Sequence, residues 1–236
     1  MRKLGIIQPG RLGDIIICLP IAKYYFDRGY EVIWPVLNDY ISLFSNIDYV
    51  TALPINSDIL NCTREAYLMT DHLHEKIDLS FGFPHSKINN VFHENYTFAN
   101  NFVEAKYKIS KVPIKNRWNL VYKRNIKKED QLFNKLYKGF NYILIHGESS
   151  QGEHIKHTPE HSIKVSPIEN FNLFDWRKLA MKADELHCVD SSFCNFIESD
   201  QSFKSKTKVY IASKSIPSKW GWTTLKNNWT INDPKK

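Results

Sequence analysis

Leu4, Ile6 and Ile7 form an apolar run within residues 3–8, and it breaks at Pro9-Gly10-Arg11-Leu12-Gly13. A short apolar run bounded by turn residues predicts a buried strand, and the longer apolar stretch over 14–26 predicts a helix after it. Gly29, just past Arg28, is a helix stop. Pro20 inside the stretch lacks a backbone donor, which predicts a kink or a restarted turn. The same tempo continues with strands over 31–36, 49–53 and 77–82 and helices over 38–44 and 63–75. Residues 85–101 are polar and aromatic without a clean period, 96–106 allow a helix, and 111–118 read as a linker. A second alternation follows: helix 127–136, strand 141–146, strand 162–165, helix 175–183, strand 185–189, helix 193–198 and strand 208–212. A Trp-rich tail ends the chain. Strands and helices alternating in this way imply parallel βαβ units, here in two Rossmann-like halves, residues 1–118 and 119–236.

Composition adds bounds. No apolar run approaches the roughly 18 residues of a membrane-spanning helix, and the N-terminus reads as a first strand, not a signal peptide. The 236 residues carry 32 Lys and Arg against 25 Asp and Glu, a formal charge of +7. Of the basic residues 25 are Lys, and the chain also holds 25 Ile and 20 Asn, a bias that an AT-rich genome produces without selection for charge. The surplus is uneven: +1 in residues 1–118 (13 basic, 12 acidic) and +6 in residues 119–236 (19 basic, 13 acidic). A basic surface suits phosphate, nucleic acid or an anionic membrane. Cys18, Cys62, Cys188 and Cys194 lack metal-ligand spacing. Cys18 sits in an apolar run as a buried thiol, and the chain is expected to be reduced and intracellular.

In open parallel sheets ligands bind beyond the carboxyl ends of the strands, and three loops fall there. In Gly10-Arg11-Leu12-Gly13-Asp14 two glycines let backbone amides approach a ligand at a helix start. The spacing is not the dinucleotide fingerprint, and Leu12 argues against a phosphate cradle. Asp14 also fits plain helix capping. The second loop carries His146, Glu148, Ser149, Ser150, Glu153, His154, Lys156 and His157, the polar density of a binding loop. His154 and His157 lack the frame of a metal site. In the third, Asp190-Ser191-Ser192 opens a helix directly after a strand, where hydroxyls and amides hold a diphosphate, a sugar hydroxyl or simply the helix end. No G-x-S-x-G elbow surrounds these serines, which argues against a hydrolase nucleophile.

Taken in order, these segments resemble the family 9 glycosyltransferases of the ADP-heptose:lipopolysaccharide heptosyltransferase type. Gly10-Arg11-Leu12-Gly13-Asp14-Ile15-Ile16-Ile17-Cys18-Leu19-Pro20 is similar to that family's opening, with its x-L-G-D, apolar trio and L-P. Residues 142–150 resemble the first strand and phosphate-side loop of the nucleotide-sugar lobe. Residues 179–192 are similar to its A-D … D-[ST]-G segment, with Ser192 in place of the glycine, and 209–221 resemble the closing strand and loop. The resemblance covers about a third of the residues, in patches.

It implies an α/β GT-B fold, two Rossmann-like lobes with parallel sheets facing a central cleft. The first lobe would take the acceptor and the second a nucleotide-diphosphate sugar. It implies an inverting glycosyltransferase with Asp14 as general base, and a donor site drawn from Gly13, His146, Glu148, Ser149, Ser150, Lys156, Glu169, Asp190, Ser191 and Ser192. No cofactor beyond the nucleotide-sugar co-substrate is expected, and no Asp-x-Asp pair offers to hold a metal. The implied acceptor is a glycan or lipid-linked glycan, handled in the cytoplasm, with peripheral placement at the inner membrane surface left open. Two alternatives stand beside this. One is a DNA-base glycosyltransferase of the same fold, suggested by the net charge and by Lys219, Trp220, Trp222 and Trp229; steep salt dependence of duplex binding would mark it. The other is a non-catalytic nucleotide-sugar-binding protein, which donor turnover would exclude.

Overall fold

The computed structural model describes residues 2–88, 102–148, 155, 159–211 and 225–232, and the chain divides into two units, Met1–Tyr122 and Lys123–Lys236. In the first, β1 (Arg2–Ile7) is followed by α1 (Leu12–Phe26), β2 (Tyr30–Leu37), a 3-10 segment over Asn38–Asn46, β3 (Thr51–Ile55), α2 (Cys62–Met69) and β4 (Glu75–Asp78). All pairings are parallel and the strand order is β3-β2-β1-β4. Strands buried on both faces read as continuous apolar runs, as Leu4, Ile6 and Ile7 of β1 and Val32 to Leu37 of β2 do. β4 departs from that rule. Its sequence Glu75-Lys76-Ile77-Asp78 is polar and no residue of it is fully buried, as an edge strand allows.

Helix α1 begins two residues before the position the pattern suggests and is buried without interruption from Ile15 to Ala22. A helix apolar all round belongs inside the protein. It runs through Pro20 without a break, although the ring removes the donor to Ile16. Tyr107 donates its hydroxyl to the next carbonyl, that of Ile17, at 3.0 Å, so an outside donor serves the turn that the proline loosens. Tyr107 belongs to α3 (Phe102–Ile109), which with the 3-10 segment Ile114–Trp118 completes the unit. Residues 63–75 do not form one helix. α2 stops at Met69, where the Thr70 hydroxyl donates to the Ala66 carbonyl, and β4 takes over at Glu75.

The second unit starts with α4 (Ile126–Leu136), capped by the Asn125 side chain, which accepts from Lys128 N. Then come β5 (Ile143–His146), β6 (Ser162–Lys164), α5 (Arg177–Lys182), β7 (Glu185–Cys188), α6 (Ser192–Ser199), β8 (Thr207–Ile211) and β9 (Trp229–Asn232). The order is β6-β5-β7-β8-β9, again all parallel. β9 lies in the stretch that reads as a tail, where Trp229, Thr230 and Ile231 are strand formers. Buried Glu198 on α6 anchors it: the carboxylate accepts from Lys226 N at 2.8 Å and Trp229 Nε1 at 2.7 Å, and its backbone carbonyl accepts from Asn227 Nδ2. All four cysteines are buried and unpaired. Among the described residues no helix is long and apolar enough to cross a membrane.

Glu198→Ala should strip two donors of their acceptor and lower stability by about 1–3 kcal/mol in urea unfolding. Glu198→Gln, which keeps one acceptor oxygen, should lose less, and hydrogen exchange should show the loss first in the β8–β9 ladder.

Candidate functional site

Each sheet reverses its strand order once at its first strand. In the first unit the reversal falls between β1 and β4, and in the second between β5 and β7. Crossovers leave such a point on opposite faces and open a crevice at the carboxyl ends, where ligands bind in open α/β sheets. Of the described candidates, Gly13 and Asp14 fall at the first place and His146, Asp190, Ser191 and Ser192 at the second.

At the first, β1 runs out into Gln8-Pro9-Gly10 and α1 begins. Gly10 is closely surrounded: a Cβ there would lie 2.8 Å from Ile59 Cδ1, 3.0 Å from Leu37 Cδ1 and 3.2 Å from an edge carbon of Phe83, so a side chain would push these neighbours aside. Arg11 takes φ 57°, ψ 102°, a region that costs a non-glycine residue about 1–3 kcal/mol. Its exposed guanidinium lies over the Phe83 ring, 4.9 Å from the centroid. Gly13 and Asp14 sit in the first turn of α1, where the helix dipole favours negative charge. Asp14 is not the N-cap: that position is Arg11, which makes no side-chain cap bond.

Asp14 instead faces Lys106, whose Nζ is 3.1 Å from Asp14 Oδ1. The lysine side chain is 0% exposed and the aspartate 14%, so one partner is sealed and the other reaches the surface. The ammonium also donates to Gln8 Oε1 at 2.6 Å and to the Leu79 carbonyl, and so ties the ends of β1 and β4. Gln8 is buried and fully engaged. Its Nε2 donates to the Gly10 carbonyl and its own carbonyl accepts from Trp34 Nε1, both at 2.9 Å. Lys106 is a site residue that the strand-and-loop reading of the sequence misses. It lies four residues after Phe102 and three before Ile109, on the buried face of α3, a placement that shows only once the helix is docked.

Beside this cluster Asp78 closes β4. Its carboxylate accepts from Tyr67 and Lys87 N on one oxygen and from Ser80 N and Ser80 Oγ on the other. The segment after β4 is thereby fixed as far as Lys87. Of residues 85–101, which show no clean period in the sequence, 89–101 lie outside the described residues.

At the second reversal His146 ends β5, paired in register with Cys188. Its carbonyl accepts from Val189 N at 3.1 Å, and its ring stacks on Phe193 of α6 with centroids 5.8 Å apart and planes 19° apart. His146 is thus brought together with Asp190, Ser191 and Ser192. Burial pushes its pKa down to about 4, with the Glu148 charge acting the other way, so the ring is neutral at pH 7. Among the described residues its buried Nδ1 has no hydrogen-bond partner. Ser191 is the N-cap of α6, its hydroxyl accepting from Cys194 N at 3.2 Å; it has the capping role that its residue type suggests and stands at a helix start that favours anions. Ile155 returns to donate to the Gly147 carbonyl, and a Cβ on Gly147 would lie 3.2 Å from that of Ile155. Ser149, Ser150, His154, Lys156 and His157 lie outside the described residues, as do Lys219, Trp220 and Trp222. Glu169 is exposed in a turn beyond β6, and Glu148 is exposed just past β5.

No protein-family model matches the chain, and no curated protein matches its sequence. Solved structures do share its fold. The chain is similar to the ADP-heptose lipopolysaccharide heptosyltransferase II of E. coli, with a TM-score of 0.61 at 9% identity over 98% of this chain and 90% of that one. It is similar to the glycosyl transferase family 9 protein of Veillonella parvula, with a TM-score of 0.60 at 10% identity over 98% and 85%. A third likeness is to the E. coli heptosyltransferase WaaC with ADP, with a TM-score of 0.50 at 11% identity over 98% and 92%. The fold is therefore the GT-B α/β fold of these proteins, with one parallel Rossmann-like sheet in each unit.

The neutral His146 gives a pH prediction. Its folded pKa lies below the unfolded value near 6.5, so the unfolded chain binds the proton first. The stability this contributes is present above pH 6.5 and is lost as pH falls toward 4, by about 3 kcal/mol at most. His146→Phe keeps the ring stack and removes the titration. Thermal melting of this variant should fall less steeply than that of the wild type between pH 6.5 and 4.

Proposed function

We propose that the chain is a glycosyltransferase that moves a sugar from a nucleotide-diphosphate donor to a hydroxyl of a glycan-type acceptor, inverting the anomeric centre without a metal ion. The observation that carries this reading is the Asp14 carboxylate: it stands at the switch point of the first sheet, one oxygen held against a buried ammonium and its side chain reaching the surface. The shared fold supports it.

In this reading the acceptor oxygen attacks the anomeric carbon from the face opposite the diphosphate. The carbon–oxygen bond to the leaving phosphate breaks, and its electron pair leaves on that oxygen. The acceptor proton passes to Asp14. A positioned general base of this kind contributes about 10²–10⁴-fold. The leaving nucleoside diphosphate is a multiple anion, and preorganised donors would stabilise it as charge develops. The α6 amino end with Ser191 and Ser192 supplies such donors, and Ser149, Ser150 and Lys156 are assigned to the same task. His146, neutral at pH 7, would contribute a ring nitrogen to the donor, with Glu148, Glu169 and Asp190 on hydroxyl groups. Gly13 would leave room for the donor beside the base. Names among the structural neighbours include ADP and ADP-heptose, so ADP-sugars are the first donors to test.

A thermal-shift screen against ADP-, UDP-, GDP- and CMP-sugars should show one nucleotide class raising Tm, because a ligand that binds only the folded state stabilises it. With that donor, release of the nucleoside diphosphate should be measurable, and Asp14→Asn should lower kcat by about 10²–10⁴-fold while leaving donor affinity unchanged. Near-full turnover by Asp14→Asn would remove Asp14 from the role. Lys156→Ala should weaken donor binding in calorimetry, and an unchanged Kd would pass the phosphate contact to another lysine.

A further inference from the structure

The buried ammonium of Lys106 asks for an explanation that folding alone does not give. Sealing a charge from water is costly, and a buried ion pair is often replaced by apolar side chains of similar volume without loss of stability. To dock α3 against the ends of β1 and β4, a leucine or methionine would serve. The lysine instead has two hydrogen bonds to fixed acceptors, Gln8 Oε1 at the end of β1 and the Leu79 carbonyl at the end of β4. Gln8 is itself held by Gly10 and Trp34. The Nζ position is therefore set by two strand ends, and from there it meets Asp14 Oδ1 at 3.1 Å. Among the described residues no hydrogen bond and no second ion pair engages the Asp14 carboxylate.

We propose that Lys106 is the positioning residue for the base: anchored on Gln8 and Leu79, it fixes the Asp14 carboxylate by one oxygen and leaves the other to face the acceptor hydroxyl. The proposal rests on Asp14 being the base. Lys106 takes no proton in the reaction and is sealed from substrate; it acts only through Asp14. A base held within a fraction of an ångström of its working geometry matters because a displacement of about 1 Å can cost about 10²-fold in rate.

The test compares the full-length wild type with Lys106→Met, Asp14→Asn and the double variant, following ADP release from ADP-heptose at a temperature where circular dichroism shows each to be folded. Lys106→Met should lower kcat by about 10²-fold, leave the donor KM within about twofold, and cost nothing further in the Asp14→Asn background, as expected for a residue acting through another. An equal fall in both backgrounds, or a raised KM with kcat intact, would overturn the positioning role and leave the base standing. Wild-type turnover by Asp14→Asn would overturn the base, and this inference with it. If Lys106→Met does not fold, Lys106→Gln keeps a donor for the Leu79 carbonyl without the charge. It should show the same loss of kcat, and an undiminished kcat there would overturn the proposal.

Discussion

A lysine ammonium with no access to water must find its solvation within the protein, and the first unit is arranged around that requirement. The cost of sealing such an ion is several kcal/mol after relaxation. Lys106 meets it with an amide oxygen, a backbone carbonyl and a carboxylate. Each partner comes from a different place in the chain: the end of β1, the end of β4 and the first turn of α1. Docking α3 is therefore inseparable from setting the loop ends on which Asp14 stands. The neighbouring Tyr107 extends the same logic, since its hydroxyl on the Ile17 carbonyl secures α1 where Pro20 has removed a bond. Two consecutive residues of one short helix thus hold the start and the middle of α1.

The second unit meets its charges differently, and this changes what its surplus of basic residues means. Lys208 donates to the carbonyls of Phe203, Lys204 and Lys206, and Lys206 donates to those of Met181 and Ala183. Most of these carbonyls lie at the ends of α5 and of a 3-10 turn over Gln201–Phe203, where helical segments leave acceptors unpaired. Burial lowers the pKa of both lysines. Lys128 caps the Asn170 carbonyl, Lys178 pairs with Asp130, Arg124 with buried Glu129 and Arg177 with Asp200. These six basic residues are engaged within the unit, three of them on backbone carbonyls, so net charge alone is a poor guide to an anionic partner here. The position of single groups, such as the α6 amino end beside a neutral His146, carries more.

The parallel architecture is legible in the sequence because both its signals are local. Apolar runs of strand length alternate with helix-length stretches, and turn residues separate them. Asp14, His146 and Ser191 are legible as candidates for the same reason: each lies just past such a run. Lys106 is not, because its meaning depends on Gln8, 98 residues earlier, and a lysine in a helix ordinarily reads as solvated surface. β9 escapes for a related reason, and β4, read at 77–82, forms instead at Glu75–Asp78. A polar edge strand such as Glu75-Lys76-Ile77-Asp78 gains its order from pairing with β1, and four residues after a turn-rich stretch become a strand only when β8 and Glu198 receive them. Where stability comes from long-range partners, periodicity has nothing to register.

The two switch points differ in a way that suits different chemical tasks. At β1/β4 the crevice is built on a fixed cation–anion pair, with a carboxylate reaching the surface. At β5/β7 it is built from a neutral imidazole, a helix amino end and serine hydroxyls. A carboxylate is a proton acceptor that would repel a diphosphate, whereas amides and hydroxyls stabilise an anion without needing a counter-charge of their own. A reaction that removes a proton from one reactant and expels a multiple anion from another needs both environments, and needs them separate. If they shared one crevice, a bound anion would compete with Asp14 for the same donors, and the Lys106 ammonium would be drawn toward it. Sealing Lys106 behind Gln8 and Leu79 prevents that competition within the first unit itself: the ammonium is committed to the carboxylate and has no surface left to offer a phosphate.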